Sequence, residues 1–218
     1  MADVEKPVYS EVTVFVLTGG KSERMGADKA LLQLPTGETL LERALAVGAS
    51  VAGETRIVGS REKYAAYAWA GEIIEDLYPG QGPLGGIHAA LKTSATEWNV
   101  VLAVDMPLVS SELLKWLILR AKESGAVVTV PRAKSGWYET LCGVYRREFA
   151  TIAEAALREA RNKIDPLYAQ VKMRVLELDE IAKAGFGPEV FENCNTKEQL
   201  AGISKQLSVI GKGDQQLG

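Results

Sequence analysis

The sequence predicts an α/β fold, a mostly parallel sheet with helices on both faces. Three observations carry this expectation. Short apolar runs alternate with amphipathic stretches of helical period through the first half of the chain. The runs at residues 12–17 and 100–104 hold no charged residue, as strands covered on both faces do. Glycine-rich turns follow the strand-like runs, at Gly19-Gly20 and again between Gly80 and Gly86, where a chain leaving a sheet has to reverse.

The elements follow in order. Residues 12–17 read as the first strand and 38–51 as a helix. Residues 54–59 and 71–76 read as strands, separated by a short helix over 61–70. A helix over 85–92 follows a Gly/Pro turn, and 98–105 form a buried strand ending in an acid. Residues 110–124 place Leu113, Leu114, Leu117 and Ile118 on one face, with Ser110 or Ser111 as the N-cap. Beyond this point the pattern shifts. Strands are expected at 126–130, 138–145 and 171–178, helices at 147–159 and 196–207, with the later strands as an edge region over the sheet's carboxyl edge. Residues 10–205 are expected to form a single domain, with 1–9 and 208–218 as flexible termini.

Composition narrows the function. The chain has 218 residues, and 47% are apolar, enough for a real core. A net charge of −3 creates no field that would attract nucleic acid. No apolar run approaches a membrane span, and the polar first eleven residues resemble no leader peptide. Cys142 and Cys194 fit no metal spacing or disulfide framework, which points to a reducing, cytoplasmic setting.

The most informative segment is Leu17-Thr18-Gly19-Gly20-Lys21-Ser22-Glu23-Arg24-Met25-Gly26-Ala27-Asp28-Lys29. Its glycines let backbone N–H groups turn toward a ligand, and Lys21, Arg24 and Lys29 put three cations in one short loop. The glycine spacing matches neither the P-loop nor the dinucleotide-binding fingerprint. Glycines plus cations after a first strand suit a nucleoside triphosphate whose charge shifts during reaction.

Acids at strand ends complete the set. Asp105 closes an otherwise uncharged run and sits where ligands bind in open α/β sheets. Mg²⁺ takes oxygen ligands and often uses one or two carboxylates plus phosphates, so Asp105 is the expected Mg²⁺ ligand; a helix cap or turn acid is the competing reading. Asp76 ends the run Ile73-Ile74-Glu75-Asp76, with Glu75 on the opposite face. The stretch from Pro79 to Ile87 reads as a stiff loop. His88, the only histidine, receives no chemical role.

The thirteen-residue string resembles the L-x-G-G-x-S-x-R-M-G-x-D-K motif of molybdenum cofactor guanylyltransferases, the MobA family. Thr18 stands where that family usually has Ala. Val104-Asp105-Met106-Pro107 resembles its metal-binding segment, Gly82-Pro83-Leu84 and Gly86 its G-P-L-x-G element, and the stretch around Asn193-Cys194-Asn195-Thr196 its N-x-N-T element. In the 137–145 segment, Glu139 and Thr140 replace the residues expected by family pattern, and no role is assigned there. The resemblance implies a Rossmann-like, GT-A-like nucleotidyltransferase fold. It implies guanylyl transfer from GTP to molybdopterin, with pyrophosphate released and Mg²⁺ required. Lys29 and Arg24 would neutralise the phosphates, and Asp105 would hold the metal. Leu17, Thr18, Gly19, Gly20 and Asp76 would contact the nucleotide. A monomer is favoured. Gly20 favours guanine over cytosine, because related cytidylyltransferases tend to have Ala there. Sister transferases using CTP, a sugar phosphate or phospholactate stay open, as does a non-catalytic nucleotide-binding module.

Overall fold

The computed structural model describes residues 9–19 and 28–194, together with Gln199 and Ile203. Among the described residues seven strands form one sheet in the order β3-β2-β1-β4-β6-β5-β7. They are β1 (Tyr9–Leu17), β2 (Ala52–Val58), β3 (Ile73–Ile74), β4 (Trp98–Ala103), β5 (Val128–Pro131), β6 (Cys142–Arg146) and β7 (Met173–Leu176). The helices are α1 (Leu40–Ala49), α2 (Arg61–Tyr64), α3 (Pro83–Thr93), α4 (Ser111–Ser124), α5 (Phe149–Arg158), α6 (Asp165–Tyr168) and α7 (Leu178–Lys183).

Strand β1 lies between β2 and β4 and is parallel to both, with Phe15 opposite Arg56 on one side and Val101 on the other. Its side chains alternate between two cores. Val12, Val14 and Val16 join Leu41 and Leu45 of α1 and Leu113, Leu117 and Ile118 of α4. Phe15 and Leu17 join Leu84, Ile87 and Leu91 of α3 and Phe149, Ala153 and Leu157 of α5. The uncharged strand pattern follows from this two-sided burial, in which each fully buried Val or Leu contributes about 1.5–3 kcal/mol.

Local signals set the helix starts. Thr39 and Glu42 form a reciprocal capping box on α1: Thr39 Oγ1 accepts from Glu42 N at 3.1 Å, and Glu42 Oε2 accepts from Thr39 N at 2.7 Å. Ser110 Oγ accepts from Leu113 N and caps α4, as expected.

Four expectations need correction. The strands after residue 125 do not lie over the carboxyl edge. β6 inserts antiparallel between β4 and β5, and β5 pairs with β7. β6 is the single reversed strand, because the hairpin between β5 and β6 brings the chain straight back beside β4. Part of the stiff loop at 79–87 is helix: α3 begins at Pro83, whose fixed φ suits the first helical position. The helix over 61–70 is one α-turn followed by a 3₁₀ stretch, Ala65–Ala70. Finally, β4 ends at Ala103, so Asp105 stands in the turn two residues beyond the strand. Helices α6 and α7 and the 3₁₀ turn Pro188–Phe191 lack the length that gives a readable period. The expected closing helix at 196–207 lies outside the described residues except at Gln199 and Ile203, which are helical. Nearly all of the expected flexible termini lie outside them too.

Candidate active site

The site is assembled at the carboxyl ends of β1, β2, β3 and β4. Leu17 ends β1, and its carbonyl accepts from Val104 N at 3.0 Å, which carries the β1–β4 pairing one step past the strand. Asp105 follows directly. Three contacts brace this turn. Cys194 N donates to the Asp105 carbonyl at 2.7 Å, Arg43 Nε of α1 donates to the Pro107 carbonyl at 2.5 Å, and Val109 N donates to the Met106 carbonyl.

Lys29 reaches the same place from the other end of the loop. It opens a single 3₁₀ turn, Lys29–Leu31, capped by Asp28, whose Oδ1 accepts from Ala30 N at 3.0 Å. Lys29 Nζ meets Asp105 Oδ2 at 2.5 Å, 76 residues away in sequence. Their side chains keep 17% and 23% exposure, so the pair is partly desolvated and still open to a ligand. Two groups sequence reasoning placed separately, a phosphate-binding cation and a metal-binding carboxylate, are thus in direct contact.

Thr18 donates from both its backbone N and its Oγ1 to the Val58 carbonyl, each at 3.0 Å. This fixes the start of the loop against β2. Gly59 makes the fit possible, since a Cβ there would come within 2.0 Å of Thr18 Oγ1. A Cβ at Gly19 would come within 4 Å of none of the described residues. Gly20 and Arg24 lie outside the described residues.

Asp76 stands beside the first turn of α3. Its Oδ1 accepts from Tyr78 N at 2.8 Å, and a Cβ on Gly85 would come within 2.6 Å of its Oδ2. Gly85 therefore lets the carboxylate press against the helix start, where the helix dipole favours negative charge. Glu75 turns the other way, as expected, accepting from Arg61 N at the start of α2.

The structure adds residues that sequence reasoning missed. Asp28 Oδ2 accepts from Tyr64 Oη at 2.9 Å and lies 3.7 Å from Lys63 Nζ. Burial drives the Tyr64 hydroxyl well above its usual range, a hydrogen bond with Thr18 opposing the rise and the hydrogen bond and charge of Asp28 adding to it, so it stays a donor that anchors the loop's end. Glu139 also belongs near the site. Burial first and the Asp105 charge second raise its carboxyl above the ordinary glutamate value. Cys194 is buried there as well; burial raises its thiol, Lys29 lowers it, and Asp105 raises it. Asp28 was legible in the loop motif, whereas Glu139, in the turn before β6, and Cys194 are brought in only by the fold. His88 is buried at 1% exposure on α3, edge-on to Tyr78, with Nε2 3.8 Å from Glu154 Oε2.

Among the described residues no cluster of three or more His, Cys, Asp or Glu could hold a metal by itself. Asp105 suits Mg²⁺ nonetheless. It offers a hard oxygen donor at the edge of the open site, and Mg²⁺ commonly completes its shell with phosphate oxygens and water.

This arrangement can now be set beside known proteins. The model of the MobA-like NTP transferase domain matches residues 14–174. The chain belongs to this family. A Carboxydothermus hydrogenoformans protein named "Probable molybdenum cofactor guanylyltransferase" is 32% identical over 198 residues, covering 91% of this chain and 98% of that protein. The molybdenum cofactor guanylyltransferase of Desulfosudis oleivorans is 31% identical over 191 residues, covering 87% and 92%. Among solved structures, molybdopterin-guanine dinucleotide biosynthesis protein A from Archaeoglobus fulgidus superposes with a TM-score of 0.76 at 29% identity, covering 90% of this chain and 98% of that one. A cytidylyltransferase of Thermus thermophilus shares the fold alone, with a TM-score of 0.66 at 16% identity over 89% and 98% of the two chains. The family match spans both halves of the site, from the end of β1 through Lys29 to Asp105 and the β6 region.

Proposed function

We propose that this chain is a molybdenum cofactor guanylyltransferase. It moves the GMP unit of GTP onto the terminal phosphate of molybdopterin, giving the guanine dinucleotide form and pyrophosphate. The observation that carries the reading is the Lys29–Asp105 contact at the carboxyl edge, with Asp76 and the Thr18 turn flanking it. Membership in the family and the names of relatives covering nearly the whole chain support the same transfer.

The chemistry asks little covalent work of the protein. An acceptor phosphate oxygen attacks the α-phosphorus of GTP, and the bond from that phosphorus to the bridging oxygen of pyrophosphate breaks. The nucleophile already bears a negative charge, so no general base is needed. Positioning and charge neutralisation carry the rate. Lys29, assisted by Arg24, neutralises the triphosphate and the departing pyrophosphate. The backbone of Leu17, Thr18, Gly19 and Gly20 lies along the nucleotide, and Asp76 holds its guanine side. Asp105 would hold Mg²⁺, which when bound would supply positive charge to offset that of the phosphates. Lys29 holds the Asp105 carboxylate before substrate arrives and turns to phosphate as the nucleotide enters.

A monomer is the acting unit in this reading. No described helix is long and apolar enough to cross a membrane. The setting in this reading is a reducing cytoplasm; Cys142 and Cys194 are both buried.

The test is incubation with molybdopterin, Mg²⁺ and each nucleoside triphosphate in turn, with pyrophosphate release as the readout. GTP is expected to support turnover well above CTP. Equal or greater turnover with CTP replaces the reading with that of a cytidylyltransferase. Nucleotide binding with no pyrophosphate from any triphosphate replaces it with that of a binding module.

A further inference from the structure

One side chain, Tyr64 of α2, stands against both ends of the string of glycines and cations that follows β1. Thr18 lies at the start of that string, fastened to β2, and Asp28 lies near its end, ten positions later. A Cβ on Gly59 would come within 2.0 Å of Thr18 Oγ1 and within 2.9 and 3.2 Å of two Tyr64 ring carbons. Ring and hydroxyl therefore close over the same bare glycine. Tyr64 Oη in turn donates to Asp28 Oδ2 at 2.9 Å.

Asp28 governs the turn that carries Lys29. Its Oδ1 accepts from Ala30 N at 3.0 Å, and its carbonyl accepts from Leu31 N at 3.1 Å. The two carboxylate oxygens thus have separate tasks. One shapes the 3₁₀ turn Lys29–Leu31; the other meets Tyr64, with Lys63 Nζ 3.7 Å away. A hydrogen bond to a carboxylate is roughly twice as strong as a neutral one, so the phenol fixes Asp28 firmly. From the turn so held, Lys29 Nζ reaches Asp105 Oδ2 at 2.5 Å.

The phenol is itself mounted on the sheet. Tyr64 is 3% exposed and packs in the same core as Ala30 of that turn. Tyr64 N donates to the Ser60 carbonyl at 3.1 Å, Gly59 N to the Ile74 carbonyl at 2.8 Å, and Arg61 Nη2 to the Ile73 carbonyl at 2.8 Å. Phenylalanine would fill a purely apolar position as well. A buried hydroxyl costs free energy unless it finds a partner, and here that partner is a carboxylate of the loop.

We propose that Tyr64 is a positioning residue for the transfer: acting through Asp28, it sets the turn that aims Lys29 at the phosphates. The task of Lys29 is taken from the guanylyl-transfer reading, whereas the holding of the turn does not depend on it.

The test uses Tyr64→Phe, which keeps the ring and removes only the hydroxyl. Amide hydrogen exchange, followed by NMR without nucleotide, reads the turn directly. Ala30 and Leu31 are expected to exchange about tenfold faster than in wild type, while Val14 and Val101 in the central strands keep their wild-type rates. Unchanged exchange at Ala30 and Leu31 overturns the proposal. Faster exchange at Val14 and Val101 as well makes Tyr64 a general core residue and also overturns it. Turnover then tests the route through Lys29. A displacement of about 1 Å costs about 10²-fold in rate, so the loss of one of several contacts behind Lys29 is expected to lower kcat about tenfold. Added to Lys29→Ala, the same substitution should lower kcat less than twofold further, because the group it positions is already gone. An undiminished kcat in Tyr64→Phe, or a full second tenfold loss in the double variant, overturns the proposal. The exchange result stands by itself: a loosened turn in an intact core supports the role of Tyr64 even if no triphosphate ever yields pyrophosphate.

Discussion

At the scale of single residues, the Lys29–Asp105 contact is the decisive feature. A cation positioned on a developing charge is typically worth about 10²–10³ in rate. Lys29→Ala is therefore expected to lower kcat by about that factor while the fold persists, because the side chain is at the rim of the core. Steady-state pyrophosphate release checks this, and near-wild-type turnover would remove Lys29 from the site. Asp105→Asn keeps the shape and removes the charge, and should abolish the Mg²⁺ dependence of activity. A retained Mg²⁺ titration curve would put the metal elsewhere. His88 makes a prediction of another kind. Burial is the largest influence on it and lowers its pKa; Glu154, Lys92 and Asp76 act less strongly. A histidine whose folded value lies below the ordinary 6.5 stabilises the protein fully above that value, because in the window beneath it the unfolded chain binds the extra proton. Stability should fall as pH drops below about 6.5, and His88→Phe should flatten that fall. Parallel melting-temperature curves for the two proteins between pH 7 and 5 would refute the assignment.

At the scale of elements, the start of α3 connects sequence pattern to site shape. The G-P-L run reads as a loop, yet Pro83 opens a helix whose first turn lies beside Asp76. Gly85 is the residue that permits the approach. In Gly85→Ala the new methyl would meet the carboxylate at 2.6 Å, and Asp76 would have to move away. The expected outcome is a several-fold rise in the KM for GTP with little change for molybdopterin, measured by varying each substrate in turn. Unchanged GTP affinity would show that Asp76 takes no part in nucleotide binding.

At the scale of the whole molecule, the site depends on one sheet covered on both faces. Leu102 lies in central strand β4, 1% exposed, in the core shared by α1 and α4. Leu102→Ala should cost about 2–5 kcal/mol through lost burial and a residual cavity. For a chain of this length that lowers the melting temperature by roughly 2–4 °C per kcal/mol, readable by calorimetry. A change below 1 °C would mean that the two-sided core is not what holds the strand. Much of this architecture is visible in the bare sequence. The uncharged runs at β1 and β4 announce two-sided burial, and Leu113, Leu114, Leu117 and Ile118 announce the inner face of α4. Short pieces such as α6 and α7 span too few residues for a period to show, and the placement of β6 depends on partners far away in sequence.

Local chemistry was therefore decided by the chain itself: the glycine and cation loop, the acids following strands, the caps on α1 and α4. These signals arise within a few residues, where backbone sterics and nearest-neighbour hydrogen bonds operate. Contacts across the sheet were decided only by the folded molecule. Lys29 meets Asp105 over 76 positions, and Cys194 N returns to the Asp105 carbonyl from the far end of the described chain. Burial and strand register bring such groups together, and both are properties of the packed chain.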